Sequence, residues 1–261
     1  MKGFQEHPDA PGEVMASACC KHYVANSMDG STVDGHKATR VDFDAVIDER
    51  DLVDSYLAPF QDCVEEGAVT SLMCSYNSVN GKPSCANPWL LQTVARDQWQ
   101  FDGYITSDCD ADANVFSTHH YTATPEEAVA DVLKAGTDVD CGGFVSQHAQ
   151  SALDKKIITE ADMDVRLQYL FRMRMRMGHF DRDGPLQAIP KTAICTPETI
   201  ELARDGTRQG AVMLKNADKL LPLKPGGKVA VIGPNQNLSE AIGTYCKHTL
   251  QFPPGPYSVL D

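Results

Sequence analysis

The stretch Gly103-Tyr104-Ile105-Thr106-Ser107-Asp108-Cys109-Asp110-Ala111 is a short β-prone run that stops at a carboxylate and gives way to small and polar residues. A carboxylate at a strand end can serve as a nucleophile or simply cap the helix that follows. Position favours chemistry, because in a barrel of parallel strands the C-terminal strand ends converge on one face, and that face carries the active site. Three other segments repeat the pattern. Ala16-Ser17-Ala18-Cys19-Cys20 runs into Lys21-His22-Tyr23, Val69-Thr70-Ser71-Leu72-Met73-Cys74 runs into Ser75-Tyr76-Asn77, and Ala135-Gly136-Thr137-Asp138-Val139-Asp140 ends in acids.

Elements that could hold such strand ends in place lie between them. Apolar residues recur at helical period over 46–66, 89–100 and 125–134, and the last stretch opens with Thr124 and, three residues on, Glu127, the spacing of a capping box. Strand-plus-helix units of roughly thirty residues point to βαβ repeats and a parallel sheet. The fold class read from this pattern is α/β.

Taken together and in order, Cys20-Lys21-His22-Tyr23, Met73-Cys74-Ser75-Tyr76-Asn77 with Asn80-Gly81 and Pro83-Ser84-Cys85-Ala86-Asn87, and the Asp108 motif resemble glycoside hydrolase family 3, in its β-xylosidase and α-L-arabinofuranosidase branch. The likeness extends through Ala135-Gly136-Thr137-Asp138-Val139-Asp140-Cys141-Gly142 and the barrel exit at Gly178-His179-Phe180-Asp181. It continues into 203–223 and a strand at 229–235. It implies a retaining exo-glycosidase acting on β-1,4-xylosides or α-L-arabinofuranosides, with β-glucosidase or an inactive sugar-binding remnant as the alternatives.

Residue by residue, the resemblance places the catalytic nucleophile at Asp108. Lys21 and His22 become donors to sugar hydroxyls, and Tyr76 and Met73 fall on the loop lining the first sugar subsite. Retaining chemistry needs the attacking carboxylate about 5 to 5.5 Å from a second carboxyl group that protonates the leaving oxygen. Lys21 would favour ionised Asp108, His22 would add a donor, and Tyr76 a hydroxyl. No cofactor or metal is required. Taken singly, Lys21 would be a surface lysine, His22 a buried imidazole and Met73 core filling. Asp110, Asp138 and Asp140 read as loop-orienting or capping acids. Asp34-Gly35-His36 lies near where another branch keeps an acid/base Asp-x-His dyad, and reads here as an exposed turn.

Length sets the domain expectation. An eight-stranded barrel takes roughly 250 residues, so 1–181 is read as a partial TIM-type barrel. A linker at 182–195 and the beginning of a second α/β sandwich domain at 196–261 follow. The branch draws its acid/base glutamate from that second domain, beyond residue 261. The chain alone is therefore expected to be nearly inactive and poorly stable, and, where it folds, to act relatively better on activated aryl glycosides than on xylo-oligosaccharides.

A formal charge of −13 argues against nucleic acid and anionic membranes, and no apolar run reaches the roughly 20 residues of a membrane span. The expected partner is an oligosaccharide or glycoside substrate, with no protein partner evident. Of the nine cysteines, Cys20, Cys63, Cys74, Cys85, Cys109 and Cys141 resemble those of secreted xylosidases, which implies an extracellular or cell-wall full-length protein. Cys74 and Cys85 bracket the Asn80-Gly81 turn and are expected to pair, as are Cys109 and Cys141 at the ends of neighbouring strands.

Overall fold

The computed structural model describes residues 1–233 apart from 8, 9, 34, 185–187, 224, 225, 227, 229 and 231. Contacts divide the chain into two compact units, Met1–Lys191 and Thr192–Asp261. The first unit is built on three parallel strands, β1 (Cys19–Tyr23), β2 (Ser71–Cys74) and β3 (Tyr104–Ser107), with β2 in the middle. Tyr104 and Ser107 lie opposite Ser71 and Cys74, while Cys19 and Tyr23 face the same two β2 residues across an irregular step after Cys20. The expected fourth strand over 135–140 reduces to a single parallel bridge between Thr106 and Val139. Even so, it extends the row, since the Ser107 N–H donates to the Val139 carbonyl at 2.9 Å. The parallel segments form no closed barrel among the described residues.

Both faces of β2 are covered: Ser71, Leu72 and Cys74 are fully buried, as expected for a parallel strand with helices packed outside it. Gly103 lets β3 start that close. A Cβ there would lie 2.2 Å from the Thr70 carbonyl oxygen, so any larger residue would push the two strands apart.

Helices arise where the apolar period lies. From Glu49 the chain coils through the π-wound segment Leu52–Leu57 into α1 (Ala58–Glu65), and Asp48 caps its start by accepting from the Asp51 N–H at 2.9 Å. A second π-wound helix covers Trp89–Gln98. After β3 come α2 (Ala111–Ser117), α3 (Pro125–Ala135), α4 (Phe144–Asp154) and α5 (Glu160–Arg176). The Thr124 and Glu127 side chains close the expected capping box on α3, and Thr159 and Asp162 form another on α5. Leu72, Ile105, Leu90, Leu91 and Val94 form the main core with Tyr23. The Tyr23 ring meets Phe60 and Trp99 edge-on, and its hydroxyl donates to the Leu90 carbonyl; burying the aromatic body while partnering the O–H is what makes such a residue favourable in a core.

Three disulfides staple this framework: Cys20–Cys63 ties β1 to α1, Cys74–Cys85 spans the loop after β2, and Cys109–Cys141 joins the loops after β3 and after Val139. The last two are the pairs expected from the sequence. The turn between Cys74 and Cys85 is a two-residue hairpin, with Ser78–Val79 antiparallel to Lys82–Pro83 and both Asn80 and Gly81 at positive φ, the geometry that Asn-Gly favours.

At the opposite, starting ends of the strands lies a buried charge. One Asp138 carboxylate oxygen accepts from Arg96 Nη2 at 2.5 Å and from the Ile105 N–H at 2.7 Å, while Arg166 Nη1 lies 3.2 Å from the other oxygen. Arg96 and Asp138 are almost wholly shielded from solvent, and the Tyr169 ring covers the Arg96 guanidinium with its centre 3.5 Å away. Burial pushes the carboxyl up to about 6 against the pull of both guanidiniums, so at neutral pH it remains an ion between two cations.

In the second unit the described part holds the helix Pro197–Gly210, capped by Thr196, which accepts from the Thr199 N–H. The strand expected over 229–235 includes 229, 231, 234 and 235, which lie outside the described residues.

Removing one member of a buried charge cluster leaves the others uncompensated, at a cost of about 3–5 kcal/mol. Asp138→Ala is therefore expected to lower the urea midpoint by a corresponding amount, whereas a loss within about 0.5 kcal/mol, as at an ordinary surface site, would refute the role assigned to the cluster.

Candidate active site

Because the strands are parallel, their C-terminal ends deliver Tyr23, Cys74 and Ser107 to one edge of the sheet. Asp108 follows β3 directly. Its N–H donates to the Cys74 carbonyl at 3.0 Å, and its side chain accepts from the Cys109 N–H at 2.8 Å. From β1, across the central strand, His22 Nε2 reaches within 3.5 Å of the Asp108 carboxylate. The His22 imidazole is held below its usual range, chiefly because burial disfavours its charged form, while Asp108 pulls the other way. The contact thus joins a neutral ring to a carboxylate and leaves the ring free to act as a hydrogen-bond donor.

Met73 lies half-buried on β2, opposite Thr106 of β3. Tyr76 stands two residues past the end of β2, and the Arg40 guanidinium sits over its ring, 5.6 Å from the centre. Lys21 is brought less close: it is exposed and makes no hydrogen bond or ion pair among the described residues, although its charge is felt by His22. Arg40 also acts on His22. Nothing local in its sequence singled Arg40 out; the placement comes from a network in which the Asn26 amide donates to the Arg40 carbonyl and to Asn77 Oδ1, tying the loops after β1 and β2 together.

The loop with Tyr76 is anchored from the turn that follows α2. His119 Nε2 lies 2.7 Å from the Tyr76 carbonyl and its Nδ1 3.2 Å from the Ser78 hydroxyl, so the turn at the end of α2 also carries the fastening of Tyr76. The acids around Asp108 divide by task. Asp140 accepts from the Val145 N–H at the start of α4, a capping role. Asp110 takes positive φ, and its carboxylate fits beside residue 142 only because that is glycine: a Cβ there would stand 2.7 Å from Asp110 Oδ1. Asp34 lies outside the described residues, and the backbone of His36 pairs with that of Val33 in a two-stranded hairpin. Among the described residues, no group of three or more His, Cys, Asp or Glu could hold a metal ion.

Asp112 is the buried acid behind this edge. It is fully enclosed, and neither carboxylate oxygen has a partner in hydrogen-bonding geometry. Burial, reinforced by the nearby Asp140 charge, pushes its carboxyl well above the usual carboxylate range, with Ser107 opposing weakly. The folded protein keeps a proton here that the unfolded chain releases near pH 3.9 or so, so this group makes stability fall as pH rises through the window between the two values. Asp112→Asn has no proton to lose. It is expected to match the parent near pH 4 and to exceed it in chemical denaturation at pH 7; equal or lower stability at pH 7 would show that the carboxyl is ionised in place.

Comparison with known proteins bears on these groups. A family model described as the N-terminal domain of glycosyl hydrolase family 3 matches residues 1–173. Beta-D-xylosidase 3 of Arabidopsis thaliana is 46% identical over 95% of this chain and 33% of its own length. Beta-xylosidase/alpha-L-arabinofuranosidase 1 of Medicago sativa subsp. varia is 43% identical over 95% of this chain and 33% of its own length. Among solved structures, the exo-beta-xylosidase XlnD in complex with a xylobiose aziridine probe superposes with a TM-score of 0.77 at 34% identity, over 88% of this chain and 30% of that one. A beta-glucosidase from Listeria innocua in complex with glucose reaches 0.65 at 25% identity, over 79% of this chain and 28% of that one. The chain spans about a third of the length of the curated relatives it matches.

Proposed function

Since the chain belongs to glycosyl hydrolase family 3, we propose that it carries the nucleophile side of a retaining exo-glycosidase site acting on β-1,4-xylosides and α-L-arabinofuranosides of hemicellulose-derived oligosaccharides. The contact that carries the reading is the 3.5 Å approach of His22 Nε2 to the Asp108 carboxylate across the strand ends, an arrangement that sets a donor and a nucleophile on one face. In this reading Asp108 attacks the anomeric carbon as that carbon's bond to the leaving oxygen breaks, the leaving oxygen taking a proton from the acid/base carboxyl group. Water then displaces the sugar from the covalent glycosyl-enzyme intermediate and restores the Asp108 carboxylate.

The other groups bind and orient. His22, neutral, donates to a sugar hydroxyl or to Asp108 itself. Lys21, which has no hydrogen-bond or ion-pair partner among the described residues, turns its ammonium to a hydroxyl as substrate arrives. Tyr76 and Met73 wall the first subsite, and Arg40, seated over Tyr76, extends the donors on that side. The parallel strands are read as part of a TIM-type barrel over 1–181, with a linker at 182–195 and the beginning of a second α/β sandwich domain at 196–261. No helix among the described residues is long and apolar enough to cross a membrane, and the three disulfides suit an extracellular or cell-wall protein.

The xylosidase reading is preferred to a glucosidase because the xylosidase neighbour superposes more closely and at higher identity than the glucosidase neighbour. The test uses a 2-fluoro xylosyl donor with an activated aryl leaving group, which needs little protonation and so makes labelling independent of the acid/base residue. A single adduct is expected on the peptide carrying Asp108, and none in Asp108→Asn, whose turnover of an aryl xyloside should fall by about 10³-fold or more. An adduct on Asp110, or labelling that survives in Asp108→Asn, would overturn the assignment. Faster labelling by the matching glucosyl donor would move the specificity to hexose.

A further inference from the structure

The loop that carries Tyr76 goes on to form a second concavity. A cavity of about 340 Å³ opens between the Asn80-Gly81 hairpin, the start of the helix Trp89–Gln98 and the residues entering the helix before α1. That volume lies within the range of small-molecule sites, about 300–1,000 Å³. Leu52 and Val79, each almost fully buried, line it with apolar surface, and Trp89 lines it with an indole that is 37% exposed. Asn87, Lys82 and Glu49 supply its polar groups.

The state of those polar groups defines the ligand. Asn87 Oδ1 is occupied, accepting from the Trp89 and Leu90 N–H groups and so holding the indole at the helix start. The Asn87 amide nitrogen makes no hydrogen bond among the described residues, although the residue is 4% exposed and lines the cavity. Lys82 and Glu49 are likewise without ion-pair partners there, and their opposite charges cancel. A cation would meet Lys82 and an anion Glu49, while a purely apolar guest would leave the Asn87 amide unsatisfied. A neutral molecule with one C–H face for the indole and hydroxyls at its edge satisfies all four groups.

We propose that this cleft is a second carbohydrate-binding site, taking a segment of a neutral, hydroxyl-bearing sugar chain with Trp89 as its stacking platform. The choice of xylose polymers as ligand rests on the proposed function, whereas the cleft itself does not. Cys74–Cys85 and the hairpin pairing hold the cleft and Tyr76 on one braced loop, so a chain bound here is kept beside the strand ends that carry Asp108.

The test is calorimetric titration of the Asp108→Asn protein with xylotetraose, alongside tryptophan fluorescence. Trp89 and Trp99 are the two tryptophans, and Trp99, at 8% exposure in the core, serves as the internal reference. A saturable change in the Trp89 emission is expected, with affinity about tenfold weaker in Trp89→Ala and also reduced in Lys82→Ala, while both variants keep the parent's unfolding midpoint. Binding unchanged in both variants, no saturable signal, or uptake of an apolar dye without the oligosaccharide would each overturn the proposal. Trp89-dependent binding without labelling of Asp108 would sink the catalytic reading and leave the cleft; labelling without Trp89-dependent binding would do the reverse.

Discussion

A carboxylate taken out of water needs its charge answered on every side, and Asp138 is answered by Arg96, Arg166 and the Ile105 N–H. The rest of the sheet leans on that arrangement. Arg96 belongs to the helix between β2 and β3, Arg166 to α5, and Ile105 to β3 itself, so one ion ties a strand to two helices, one of them far along the chain. Desolvation makes such a cluster a poor source of net stability. It does make wrong pairings costly, because any other register would bury one of its three charges alone.

Fixing the strand starts fixes the strand ends. With β1, β2 and β3 parallel, and β1 meeting β2 again at Tyr23 opposite Cys74 after its irregular step, His22 and Asp108 arrive at the same edge from opposite sides of β2. Disulfides then restrain the loops beyond that edge, Cys109–Cys141 next to Asp108 and Cys74–Cys85 beyond Tyr76. The loops that carry the proposed chemistry are therefore held at both ends. Asp112 sits behind them as a buried acid whose carboxyl is pushed well above the usual carboxylate range by burial and by the nearby Asp140 charge.

Much of this was legible in the sequence wherever the signal was local. The apolar runs ending in polar residues marked β1, β2 and β3, the Thr124 and Glu127 spacing marked the start of α3, and Asn-Gly between two cysteines marked both the hairpin and its disulfide. What escaped depends on long-range geometry. Asp138 read as a capping acid because its partners Arg96 and Arg166 lie 42 and 28 positions away, and no periodicity links them. Arg40 owes its place over Tyr76 to a network of side chains from separate loops. Cys20–Cys63 crosses from a strand to a helix, and its spacing carries no turn signal. Lys21 shows the converse, since adjacency to His22 in sequence did not bring its ammonium into an ion pair with Asp108 as it did the His22 ring.

At the lower rim of the sheet, Gln5 accepts from the Ala18 N–H, the Thr70 N–H and the Thr70 hydroxyl through one oxygen, while its nitrogen donates to the Ala68 carbonyl. A side-chain amide has the same donor and acceptor as a peptide group, and here it impersonates one, presenting the starts of β1 and β2 with the unit a neighbouring strand would have offered. Glutamate is nearly the same shape and would fail at this position, because its second oxygen would face the Ala68 carbonyl. Mimicry of the backbone, rather than bulk or hydrophobicity, is what the fifth residue contributes.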